Sequence, residues 1–83
     1  MKVTVKYFAS IRENVGLGTE VLQTSAKTLG ALRDELLARG APFDQSVSRG
    51  RAVRLALNQV MSEESALLSE GCEVAFFPPV TGG

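Results

Sequence analysis

The spacing of apolar residues changes period twice along the chain, and those changes divide it. Residues 2 to 8 read Lys-Val-Thr-Val-Lys-Tyr-Phe, with Val3, Val5 and Tyr7 alternating against Thr4, Lys6 and Phe8. A period of two over β-branched and aromatic residues predicts a half-buried strand. A polar stretch containing Gly16 and Gly18 follows, then a second strand at Thr19 to Thr24. These two strands read as an antiparallel hairpin joined by a long, functional loop. From Thr28 to Arg39 the period lengthens, and Leu29, Leu32 and Leu36 fall at i, i+3 and i+7 with Leu37 alongside. That spacing draws one apolar stripe along a helix. Ser25 or Thr28 supplies the N-cap oxygen, and Gly40 with Pro42 closes the other end. Asp34 and Glu35 fall on the solvent side, near Arg33 and Arg39.

Strand periodicity then returns. Val53, Leu55 and Leu57 alternate with Arg54 and Ala56 as a third strand. Asn58-Gln59 has turn character, Val60-Met61 forms a short fourth strand, Glu70-Gly71 is a turn, and Glu73 to Phe77 form a last strand. Hairpin, helix and further strands predict an α+β domain in which one main helix covers one face of a sheet of about five strands. This order alone is shared by several small α+β folds.

Composition narrows the possibilities. A chain of 83 residues, 45% hydrophobic, has room for one core. Nine basic and nine acidic residues cancel, which provides no electrostatic footprint for nucleic acid or a membrane surface. A single cysteine forms no internal disulfide. Met1 leads straight into strand sequence without a signal-like segment, and no apolar run reaches the ~18 residues of a membrane span. A cytoplasmic protein is expected.

Absences exclude much catalytic chemistry. Without histidine there is no Ser-His-Asp or Cys-His nucleophile, and one cysteine leaves no thiol and imidazole set for zinc. Gly16-Leu17-Gly18 lacks the rest of a phosphate loop and reads as a hairpin loop that needs positive φ. Cys72 is flanked by Glu70 and Glu73 on the turn and strand side, a poor setting for thiolate activation, and reads as a small apolar residue at a strand start. Glu63-Glu64 reads as a solvated turn, and Arg49, Arg51 and Arg54 as a solvated basic face.

Parity is more informative than charge. If Val3, Val5 and Tyr7 face the helix, Phe8 points away; if Val74 and Phe76 face inward, Ala75 and Phe77 point away. If the first and last strands are neighbours, Phe8 and Phe77, joined by Met61, form an apolar patch suited to a partner. The alternative is that strand ends twist and these side chains tuck against loops. Beyond the patch come Pro78 and Pro79, which lack N–H groups and fix φ, then Val80 and Thr81. Last are Gly82 and Gly83, which carry no side chain. Such a sequence suits a slim tail, residues 78–83, that presents a carboxylate inside another protein's channel.

The stretch Gly71-Cys72-Glu73-Val74-Ala75-Phe76-Phe77-Pro78-Pro79-Val80-Thr81-Gly82-Gly83, with Tyr7-Phe8-Ala9, Arg12-Glu13 and Ala56-Leu57-Asn58-Gln59, closely resembles the small, sulfur-carrying subunits of molybdopterin synthase, a ubiquitin-like family. Cys72 departs from the acidic residue usual there. The resemblance implies a ubiquitin-like β-grasp fold and a carrier with no permanently bound cofactor. An ATP-dependent enzyme of the ubiquitin-activating type would adenylate Gly83, and a persulfide donor would convert it to a thiocarboxylate. Gly82 would permit close passage, while Pro78 to Thr81 set the reach. Phe8, Met61, Phe77 and the residues Pro78, Pro79, Val80 and Thr81 would bind the large synthase subunit, in a heterotetramer of two small and two large subunits. The large subunit would supply acid–base groups and a cyclic pyranopterin monophosphate would receive the sulfur. A carrier for thiamine synthesis, or a protein modifier forming isopeptide bonds through Gly83, shares the same activation chemistry.

Overall fold

The alternating Val3, Val5 and Tyr7 become the inward face of β1 (Lys2–Tyr7), near the centre of a five-stranded sheet. The computed structural model describes residues 1–79; Val80, Thr81, Gly82 and Gly83 lie outside the described residues. The remaining elements are α1 (Ala9–Val15), β2 (Thr19–Gln23), α2 (Leu29–Leu37), α3 (Phe43–Ser46), β3 (Arg54–Leu57), β4 (Val60–Met61) and β5 (Glu73–Phe77). The strand order is β2-β1-β5-β3-β4. β1 runs antiparallel to β2 and parallel to β5, with Val5 opposite Val74 and Tyr7 opposite Phe76. Phe76 also faces Leu55 on antiparallel β3. The first and last strands are therefore neighbours, as the resemblance implies.

The leucine stripe lies against this sheet. Leu29, Leu32 and Leu36 are wholly buried and pack in one cluster with Val3, Val5, Tyr7, Leu55, Val74 and Phe76. Full burial of such side chains stabilises by about 1.5–3 kcal/mol each. Thr28 is the cap: its Oγ accepts the Ala31 N–H at 3.1 Å. The next orphan donors of the helix are met from outside, because Leu29 and Gly30 donate to the carbonyls of Ala66 and Glu64. Glycine at position 30 lets this segment come close, since an added Cβ would lie 3.1 Å from the Glu64 Cβ and 3.3 Å from its carbonyl oxygen. The Asn58-Gln59 turn has both residues at positive φ (50° and 68°), which matches the twist of the β3–β4 hairpin.

Residues 9 to 15 correct the loop expected between β1 and β2. They form α1, whose Ile11 and Val15 are buried and spaced i, i+4. Seven residues with two apolar positions carry too little periodicity to stand out beside the strands. Gly16, at φ 90°, ends this helix by donating to the Arg12 carbonyl, so its positive φ is a cap rather than a hairpin turn. β2 ends at Gln23, one residue earlier than expected. Thr24 turns inward, bonding the Ala26 N–H and the Glu35 carboxylate. The short α3 was also unanticipated; its Phe43 ring stands 6.1 Å from Tyr7.

The expected solvated charges also need correction. Arg33 is 5% exposed; its Nε donates to the Val47 carbonyl at 2.7 Å and Nη2 to the Ser48 carbonyl at 3.0 Å. Arg49 pairs with Glu64 and Asp34 at 2.6 Å each and also reaches the Gly30 carbonyl. Glu64 is thus an ion-pair partner, whereas Glu63 is exposed. Together Arg33 and Arg49 fasten the segment after α3 to α2. Helical spacing puts Arg33 beside Leu29 and Leu32, but only the fold shows two carbonyls waiting for it.

Candidate functional site

Tyr7 and Phe8 are consecutive on an extended chain, so their rings leave opposite faces of the sheet. Tyr7 enters the core, stacked 6.1 Å from Phe76. Its hydroxyl donates to Glu20 at 2.7 Å. Burial, then the hydrogen bond and charge of Glu20, hold its phenol well above the usual value. Phe8 lies on the other face, 44% exposed. Its extended backbone caps α1, and its carbonyl accepts the Ile11 and Arg12 N–H groups. Ala9 then takes φ 52°, a turn that carries the chain into α1 and leaves Phe8 at the sheet's rim.

Phe77 obeys the same alternation on β5 and meets Phe8 edge to face, with centroids 6.4 Å apart and planes at 86°. Ala75, two residues earlier, lies on the same face opposite Ala56. Two methyl side chains between larger neighbours leave a depression. The resulting groove has a volume of about 690 Å³. Ala56 and Ala75 form its floor, Phe8, Phe77, Pro78 and Pro79 one wall, and Met61 with Gln59 the other. Met61 is 58% exposed, its partner across the β3–β4 hairpin being Ala56. A Lys6–Glu73 ion pair at 3.3 Å borders the groove.

The structure thus brings together Phe8, Met61, Phe77, Pro78 and Pro79, five positions singled out in the sequence. The other singled-out residues, Val80, Thr81, Gly82 and Gly83, fall outside the described residues. Sequence reading missed the floor residue Ala56 and the Lys6–Glu73 border. Ala56 had a usable signal, because it shares the parity of Arg54 and so faces away from Leu55 and the helix. Cys72 is buried beside β1, its carbonyl accepting the Thr4 N–H at 3.0 Å. The turn needs no side chain there, since the Glu70 carboxylate accepts the Lys2 N–H and the Gly71 N–H donates to the Lys2 carbonyl.

The apolar groove lies on the uncovered face of the sheet, beside the segment leading to Gly82-Gly83. With α2 across the opposite face, the mixed five-stranded sheet defines a ubiquitin-like β-grasp domain. The chain belongs to the ThiS family, whose model matches residues 5–83. It is 36% identical over 81 residues to the molybdopterin synthase sulfur carrier subunit of Escherichia coli, covering 98% of this chain and 99% of that one. Among solved structures it is similar to the putative molybdopterin converting factor subunit 1 of Pyrococcus furiosus, with a TM-score of 0.80 and 29% identity over 96% of this chain and 99% of that one. It is likewise similar to a chain in the complex of subunits 1 and 2 of molybdopterin-converting factor from Helicobacter pylori, with a TM-score of 0.71, 26% identity and full coverage of both chains.

Proposed function

We propose that the chain is the sulfur-carrying small subunit of a molybdopterin synthase. The apolar groove carries the reading: it places Phe8, Met61 and Phe77 beside the two prolines that lead to Gly82-Gly83. Seating on a large subunit through this groove aims the tail into the partner.

A carboxylate resists nucleophilic attack because addition places further charge on an anion. Adenylation by an ATP-dependent activating enzyme replaces one oxygen's charge with a phosphate leaving group. A persulfide then displaces AMP, and cleavage of the sulfur–sulfur bond by a thiol leaves a Gly83 thiocarboxylate. In the large subunit its sulfur passes to cyclic pyranopterin monophosphate, and hydrolysis returns the carboxylate. Two deliveries complete a dithiolene, consistent with two small and two large subunits in the assembly. ATP belongs to the activating enzyme, and the carrier holds no resident cofactor. All of these steps belong to the cytoplasm.

Within this chain, Phe8, Met61 and Phe77 supply binding, Pro78 to Thr81 reach, Gly82 passage, and Gly83 the acyl carbon. Intact mass tests the central claim. Incubation with activating enzyme, ATP and a persulfide donor should add about 16 Da at Gly83, one oxygen becoming sulfur. A chain lacking Gly83 should remain folded yet form no molybdopterin with large subunit and precursor. Equal product from that truncated chain would end the carrier reading.

A further inference from the structure

A second depression, of about 340 Å³, lies on the other side of Pro78 and Pro79, which line both. Ser10 and Asn14 of α1, Ser46 of α3, and Arg51 form its polar lining; no acidic residue contributes. Arg54, the cross-strand partner of Phe77, stands exposed on the groove side. Among the described residues Arg51 and Arg54, like Lys2, Arg12 and Lys27 farther away, form no ion pair with a carboxylate, whereas Arg33, Arg39, Arg49 and Lys6 do. Two unneutralised cations thus flank the point where the chain leaves the sheet, in a protein with no net charge.

The segment bearing Arg51 is also fastened by several hydrogen bonds. Arg33 holds the carbonyls of Val47 and Ser48. Arg49 grips Glu64, Asp34 and the Gly30 carbonyl, and the Arg51 N–H donates to Ser48 at 3.1 Å. Fixing the backbone beneath a cation lowers the entropy lost when it meets a partner.

We propose that Arg51 and Arg54 form a basic collar that docks on acidic side chains at the mouth of the protein channel receiving the tail. The collar rests on the carrier reading above and adds a partner feature to it: carboxylates on the large subunit facing both sides of Pro78-Pro79. The two depressions meet at those prolines, so a partner seated in the apolar groove and enclosing the tail must also cover Arg51. Charges at such a rim act chiefly on association rate and are screened by salt.

The test measures binding of the full chain to the source organism's molybdopterin synthase large subunit, without precursor or nucleotide. Arg51→Glu and the Arg51→Glu/Arg54→Glu pair are compared with Lys27→Glu. Lys27 is exposed, lines neither depression, and its reversal matches the charge change of the single variant. At low salt the double variant should bind about tenfold more weakly, mainly through slower association, and the deficit should shrink at ~1 M salt, where the Debye length is about 3 Å. Lys27→Glu should bind as the parent chain does. Parent-like binding by the double variant, alongside failure of Phe77→Ser, would overturn the collar and leave the carrier reading standing. A defect appearing only when precursor is added would assign the arginines to its phosphate and also overturn the collar. If the unaltered chain does not bind the large subunit, the carrier reading fails and the collar with it.

Discussion

Replacing Phe77 by serine separates a binding role from a structural one, because the ring is half-buried and its contacts are few in kind. In the free chain it loses an edge-to-face pair with Phe8, worth about 0.5–1.5 kcal/mol. It also loses part of the ~1.5–3 kcal/mol that full burial of a large apolar side chain provides. The sum is about 1–2 kcal/mol, against roughly 4–12 kcal/mol expected for a domain of this length at ~0.05–0.15 kcal/mol per residue. Phe77→Ser should therefore remain folded, with a midpoint lowered by about 5–15 °C. Binding should suffer more. An aromatic anchor at the middle of an interface costs about 2 kcal/mol or more on truncation, near 30-fold in affinity. Calorimetric titration against the large subunit, read beside urea unfolding of the free chain, gives both numbers. If stability falls by ~4 kcal/mol or more while affinity per folded molecule is unchanged, Phe77 belongs to the core and the groove is not the docking surface.

Two further outcomes concern the scaffold. The Tyr7 phenol titrates higher folded than unfolded, so its contribution is complete below the unfolded value near 10 and is lost as pH rises above it. Unfolding free energy should drop by about 1 kcal/mol more between pH 10 and 11 in the parent chain than in Tyr7→Phe, and equal slopes would refute this. Arg33→Ala leaves the Val47 and Ser48 carbonyls without their donor and should cost about 3 kcal/mol in urea unfolding; an unchanged midpoint would show that the buried arginine is dispensable.

The legible parts of this protein are those written in a single period. The leucine stripe of α2 and the opposed parities of Tyr7 and Phe8, or Phe76 and Phe77, needed no knowledge of neighbours. They located the sheet, its covered face and three residues of the groove. What stayed hidden depends on pairs distant in sequence. Ile11 and Val15 are too few to announce a helix until the sheet offers them a surface. Arg33 looks like any charged helix residue until two backbone carbonyls approach from the segment after α3. The groove exists because Ala56 and Ala75 become neighbours across β3 and β5, a register that neither strand reveals alone. The Gly82-Gly83 signal came from residue type, which needs no geometry.

The placement of β5 has a mechanical consequence. The strand leading to the tail is not at an edge of the sheet but between β1 and β3, bonded along its length to both. A pull on the residues beyond Phe77, as when a tail is drawn into a narrow channel, acts along the strand and at right angles to its hydrogen bonds. The two ladders then share the load and would have to fail together, whereas an edge strand could peel away one bond at a time. Resistance to such a pull is a matter of unfolding rate rather than equilibrium stability. A pull applied beyond β5 is therefore resisted by two ladders at once, whatever the domain's equilibrium stability.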